Sequence, residues 1–268
     1  SSGFPSLSKA KVQRIAALAG TTARTARRFY ATPDIALITA NTTTPFIAVS
    51  LGSGFHEHPL GQVNEDRFYV LRDPDLGNEG VSNFFVNGDA DLYDVTDNLA
   101  GSTNATKARQ AQIDIGAKKG LYITLGGGTI TGEKVMSEAT TFDNQVLFAT
   151  YQPGVSAGNS CAAITGLSRL YQIRVTDATP TQPFSQSTPN GDPLTAADRA
   201  RELKQGGLPP NPVILFPSIN STVAADGTRK ICVGSQCLPD KALVCVGAEC
   251  FQPGLDIETV KTFWRQAE

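Results

Sequence analysis

Four of the chain's five cysteines lie in "KICVGSQCLPDKALVCVGAECF", which runs from Lys230 to Phe251. A Cys-Val-Gly-x-x-Cys unit occurs there twice, at Cys232 to Cys237 and at Cys245 to Cys250. Thiols so spaced could hold a metal, cycle as a redox pair, or join as disulfides. A redox CxxC has two intervening residues, not four. Structural zinc favours tighter spacings, frequently with histidine, and the two histidines lie far upstream. If Gly234-Ser235 and Gly247-Ala248 are the centres of two-residue turns, glycine occupies the first central position, as a type II′ hairpin requires. The cysteines then form the second pair out from each turn, a non-hydrogen-bonded pair with Cα atoms about 4.5 Å apart, at the short end of disulfide reach. Disulfide-stapled hairpins are the favoured arrangement, and a four-cysteine metal site is the competing one. The spacing leaves other pairings open, such as Cys232 with Cys250. Disulfides persist in oxidising surroundings, which places the chain outside the cytosol. Cys161 is left over, as a buried thiol or paired beyond this chain.

Other reactive types are thinly spread. His56 and His58 in "GFHEHPL" stand two apart, as a strand-borne metal pair would; Glu57 and Asp66 are near in sequence, but no third ligand is evident. Their expected role is at the surface or in packing. "LGGGT" (Leu125 to Thr129) lacks the Lys-Ser/Thr that completes a phosphate loop, so it reads as a flexible turn. Ser160, beside Cys161 in "GNSCAA", lacks the pattern of a nucleophile elbow. Asn41, Asn104 and Asn220 begin glycosylation triplets of a kind that arises by chance. Nothing here assembles a catalytic triad.

The elements that must carry these residues are mostly short and β-rich. "RRFYATPDIALI" (Arg27 to Ile38), "PFIAVSLGSG", "EDRFYVLRD", "GLYITL", "EKVMSEATTF" (Glu133 to Phe142), "QVLFATYQPG" and "SRLYQIRVTD" each read as strands bounded by turn residues. The run at Phe46 is echoed 100 residues on at Val146, and the run at Phe68 is echoed 102 residues on at Leu170. A repeat of short strands suggests propeller blades, with long insertions or two blades per repeat. Two insertions read as helices. One is "NATKARQAQIDIGAKKG" (Asn104 to Gly120), with Gly120 as its stop. The other is "PLTAADRARELKQGGLPP", with Thr195 and Asp198 at capping-box positions. "NPVILFPSI" and a final "DIETVKTFWRQ" read as strands.

With 268 residues and a net charge of −2, the chain can bury a full core. It lacks the basic cluster that nucleic acid or an anionic membrane would require. No run approaches the length of a membrane span. It begins Ser1-Ser2, and the expectation is an exported piece of something longer whose signal lay upstream.

The ordered succession "RRFYATPDIALI", "IAVSLGSGFHEHPL", "EDRFYVLRD", "DLYDVT", "GLYITL", "GEKVMSEATTF", "VLFATYQP" and "RLYQIRV" resembles the C-terminal region of PilY-type proteins, the tip-associated adhesins and assembly factors of bacterial type IV pili. The likeness spans most of Arg27 to Val175 and returns weakly at "LPPNPVILFP" and "TVKTFWRQ". It implies a mainly all-β chain, part of a modified β-propeller with helical insertions and a C-terminal extension. Residues 1–176 would be the later blades, 177–212 a proline-rich connector with a short helix, and 213–268 the terminal strands with both stapled hairpins. It also implies an exported protein at the periplasm, outer-membrane surface or pilus tip, binding minor pilins and a host or abiotic surface.

The family's propeller typically carries a calcium loop, and this chain departs from it. The nearest string is "DADLYDVTD", where Asp89 and Asp91 hold the first two ligand positions but Tyr93 and Asp94 replace the third acid and the turn glycine. Calcium needs six to eight oxygens around a sharp loop. Asp89, Asp91, Asp94 and Asp97 are therefore weak metal candidates. Asp94 and Asp97 are expected in turns, and the calcium site elsewhere in a longer protein.

The expected function is non-enzymatic binding and assembly, with no cofactor in this fragment. The alternative is a quinoprotein-like exported propeller dehydrogenase, and a carbohydrate-binding propeller is weaker, with Trp264 the lone tryptophan.

Overall fold

The computed structural model describes residues 13–76, 84–154, 165–185, 192–216 and 242–252, together with the backbone of the strands at 222–223, 229–233 and 236–239. In chain order the elements are β1 (Ala16–Ala17), β2 (Asp34–Ile38), β3 (Phe46–Gly52), β4 (Arg67–Asp73), β5 (Val86–Asn87), β6 (Tyr93–Asp94), α1 (Ala105–Gly116) and β7 (Gly120–Thr124). Then follow β8 (Lys134–Val135), β9 (Thr140–Phe142), β10 (Gln145–Gln152), β11 (Leu167–Arg174), β12 (Ala200–Glu202) and β13 (Val213–Leu215). The last are β14 (Thr222–Val223), β15 (Arg229–Val233), β16 (Gln236–Pro239), β17 (Leu243–Val246) and β18 (Glu249–Phe251). The chain is mainly β, as expected.

The first sheet has the order β2-β3-β4-β7-β6, antiparallel except for the short parallel β6–β7 pair. The second has the order β12-β11-β10-β8, with β9 also pairing β10. A third, β13-β17-β18, follows. The main hydrophobic cluster joins the first two sheets: Phe68, Val70, Leu121 and Ile123 from one, and Val135, Val146, Phe148 and Ile173 from the other. At its centre the rings of Phe68 and Phe148 stack 3.7 Å apart. The first sheet's outer face buries Tyr69, Leu71 and Tyr122 against Leu18, Phe84 and Val86. The second sheet's outer face buries Leu147, Ala149 and Leu170 against Val244 and Val246 of the third. Both sheets are thus covered on both sides. For that reason "RFYVL" and "VLFATY" are buried without interruption and carry no polar alternation.

The 100-residue echo is present as strand pairs but not as register. β3 pairs β4 with Gly52 opposite Phe68, whereas the matching Gln152 of β10 faces Leu167 and the matching Leu170 faces Ala149. Gly52 has a packing reason of its own, because a Cβ there would lie 2.3 Å from the Val135 side chain across the inter-sheet seam.

Several expected boundaries shift. Arg27 to Pro33 is not strand, and only Asp34–Ile38 joins the sheet. "EKVMSEATTF" divides into β8 and β9, because Ser137 interrupts it by donating to the Glu138 carbonyl while accepting from the Ala149 amide. The first insertion is a helix, capped by Asn104, whose Oδ1 accepts from the amides of Thr106 and Lys107. It ends by Ala117, and Gly120 instead opens β7, where a Cβ would lie 2.4 Å from the Val70 carbonyl oxygen.

The second insertion is not a full helix. Asp198 Oδ2 accepts from both the amide and the hydroxyl of Thr195 in the expected box, but it encloses one 3-10 turn, Ala196–Arg199, and the chain then enters β12. Pairing of this segment with the free edge of β11 outcompetes further turns. Cys161 and the run "DIETVKTFWRQ" lie outside the described residues, as do Asn220 and Trp264. Among the described residues no helix is long and apolar enough to cross a membrane.

Candidate binding site

The cysteine hairpins have the expected registers. In β17–β18, Val246 faces Glu249 across the turn and Cys245 faces Cys250. Gly247 has φ 60°, the left-handed conformation that glycine adopts without a Cβ penalty. Cys245 and Cys250 are joined by a disulfide, with their Cα atoms 4.1 Å apart. The hairpin docks on Gln205, whose amide donates to Glu249 and whose side chain donates to the Val246 carbonyl. In β15–β16 the backbone likewise places Cys232 opposite Cys237; their side chains lie outside the described residues.

His56 and His58 sit in a surface aromatic cluster. His56 stacks on Tyr30 at 4.9 Å and its Nε2 contacts the Val135 carbonyl at 3.0 Å. His58 meets Phe55 edge-on at 4.6 Å, while Arg28 lies 3.8 Å over the same ring. The loop behind them is held by Lys134. Its side chain is buried, and its ammonium donates to the carbonyls of Pro59, Gly61 and Gly132 at 2.9, 2.9 and 2.6 Å. Burial lowers the Lys134 pKa, an effect that the nearby Asp66 carboxylate partly opposes.

The four aspartates do not converge, and three of them have separate partners. Asp89 pairs with Arg67 at 2.5 Å and with Arg27 at 3.6 Å. Asp91 accepts from the Asn87 amide and from Lys119 Nζ. Asp94 accepts from the amide and hydroxyl of Thr96, as a turn aspartate does. Asp97 is exposed three residues beyond the β6 end. Among the described residues no three His, Cys, Asp or Glu side chains are grouped to hold a metal.

"LGGGT" does cradle a negative group, though an internal one. The Gly126 amide donates to Glu133 Oε2 at 3.0 Å, and Oε1 accepts from Thr150 Oγ1 at 2.7 Å and Tyr171 OH at 3.1 Å. Arg169 stands 3.4 Å away. Glu133 forms part of the lining of a cleft of about 1130 Å³ at the seam between the first two sheets. Thr124 and Gly126 line its first-sheet side, Arg199 to Lys204 its second-sheet side, and the Pro183–Ser185 strap also borders it.

Arg199 locks this seam. It is 2% exposed, and its guanidinium donates to the carbonyls of Ala178, Thr96 and Val95 and to Asn98 Oδ1. Burial pulls its pKa down to about 10, so it stays charged at neutral pH. The sequence reading placed Arg199 on a helix and missed the cleft. The available signal was the alternation Arg199, Arg201 after a capped turn, which suits a strand better than a helix.

The fold thus defines a mainly β protein of successive, face-packed antiparallel sheets. No family model matches the chain, and no curated protein does. Among solved structures, the C-terminal domain of PilY1 from Pseudomonas aeruginosa is similar, with a TM-score of 0.47 and 16% sequence identity, over 86% of this chain and 46% of that one. The chain therefore spans about half the length of that structure.

Proposed function

We propose that this chain is a non-enzymatic binding and assembly protein of type IV pili, exported and acting at the pilus tip through contacts with minor pilins and surfaces. The observation that carries the reading is the order of the PilY-like runs between Arg27 and Val175. The antiparallel sheets built from them pack face to face in chain order, an arrangement suited to successive blades of a modified propeller. In this reading residues 1–176 contribute blades, 177–212 connect, and 213–268 form a rigid stapled extension. The fragment works without a cofactor, and calcium binds elsewhere in the longer protein. Rigid loops suit such a role because less ordering entropy is lost on docking.

The test is co-purification of this chain with minor pilins, followed by crosslink mapping. Capture with crosslinks on this chain is the expected result. Failure to capture any minor pilin would overturn the pilus assignment, and a quinone absorption band in the purified protein would favour the dehydrogenase instead.

A further inference from the structure

We infer that the seam cleft captures an extended acidic polypeptide segment as an added strand on the free edge of β12. The inference deepens the binding-protein reading above and rests on it for the identity of the partner, but its geometry is independent of pili.

β12 ends the second sheet, and among the described residues no strand pairs its outer edge. Its register with β11 is Leu170↔Arg201 and Arg169↔Glu202, and the Leu203 amide donates to the Ser168 carbonyl at 2.8 Å. In an antiparallel ladder hydrogen-bonded pairs alternate with non-bonded ones. The bonded pairs are therefore Ser168–Leu203 and Leu170–Arg201, and the amides and carbonyls of Ala200 and Glu202 point away from β11. Six consecutive residues, Arg199 to Lys204, line the cleft. Residues from both faces of a strand can line one cavity only if the cavity runs along its edge. A row of strand amides and carbonyls facing an open cleft is the geometry of β-augmentation.

The charge selects the guest. Arg169, Arg199, Arg201 and Lys204 line the cleft against two carboxylates, Glu133 and Glu202, in a chain whose net charge is −2. Glu133 is already engaged by Gly126, Thr150, Tyr171 and Arg169. Arg169 answers Glu133, the donors of the buried Arg199 are spent on carbonyls and Asn98, and Arg201 lies over the Phe251 ring. The lining still carries net positive charge, focused by low-dielectric walls, with Lys204 as its exposed cation. A small phosphate is a poorer fit, because the glycine-turn amide that would greet it is bonded to Glu133. An extended segment with acidic side chains satisfies the amide row and the cations together.

The test is a fluorescence-anisotropy titration of the full chain with a labelled peptide alternating aspartate and valine. Its partners are the same peptide N-methylated at alternate amides and a lysine-for-aspartate counterpart. Binding of the first alone is expected. Lys204→Glu weakens it by about tenfold, and Glu202→Gln, which removes an opposing charge, holds or tightens it. Glu202→Pro abolishes it, since proline removes the outward amide and leaves the bonds to β11 intact. Charge capture without strand addition predicts the reverse for Glu202→Pro. Equal binding of the N-methylated peptide, or unimpaired binding by Glu202→Pro, overturns the inference; so does no binding by the native chain. The N-methylated peptide decides the matter even if the proline variant fails to fold. Minor-pilin capture that survives a binding-dead Glu202→Pro would sink this site and spare the pilus reading, whereas acidic-peptide binding without pilin capture would do the opposite.

Discussion

Single residues carry heavy loads where charge is buried. Lys134 alone bridges three loop carbonyls among the described residues. Lys134→Met keeps the stem and deletes the donor, so unfolding by urea should show a loss of about 2–3 kcal/mol, since hydrogen bonds to charged groups are worth roughly 1.5–3 kcal/mol each and the loop can partly rehydrate. Faster amide exchange confined to residues 55–64 should accompany it. Glu65 and Asp66 are neighbours with opposite shifts. Burial pushes both carboxyls up, but at Glu65 the ion pairs with Arg24 and Arg67 outweigh it and hold the group below its ordinary 4.5, while at Asp66 burial prevails. A carboxylate held low in the fold contributes stability that is present above the unfolded value and is lost as pH falls through the folded one. Glu65→Gln should therefore lower stability at pH 7 and flatten its decline below about pH 4.5. An unchanged acid slope in urea titrations would show that the Arg24–Glu65–Arg67 group is energetically silent.

At the scale of elements, turn chemistry was the legible part. The Thr195–Asp198 box follows from side chains reaching backbone a few residues away, and the glycine-first hairpin turn from glycine's freedom at positive φ. The Asn104 cap of α1 has the same local origin but was not read. Where a segment's fate depends on what lies beside it, the local signal misleads, as at Arg199 to Glu202, where an open β11 edge replaces a helix with a strand. The Cys245–Cys250 hairpin is peripheral to the main core and packs on the outer face of the second sheet. Replacing both cysteines by serine should cost about 2 kcal/mol, the chain-entropy value for so short a loop. Calorimetry should show a lowered Tm with the first two sheets still folded. Loss of all folded protein would mean that the staple is integral to the core.

For the molecule as a whole, the shared cluster around Phe68 and Phe148 makes the first two sheets one cooperative unit. Phe148 also stacks on Tyr171 at 4.8 Å, so Phe148→Ala should destabilise by about 3–5 kcal/mol. Hydrogen exchange should rise in both sheets together. Two separate unfolding transitions, with one sheet surviving, would refute the shared core.

Taken alone, the sequence determined the β-rich composition, most strand centres and the Thr195–Asp198 box, and favoured stapled hairpins without fixing their pairing, because each depends on neighbours close along the chain. Tertiary structure alone decided the registers of the two main sheets, the burial of Lys134 and Arg199 against distant carbonyls, and the open edge of β12. Those features depend on which surfaces meet in space, where residues such as Arg199 and Val95 stand 104 positions apart in the chain, and no local pattern encodes that meeting.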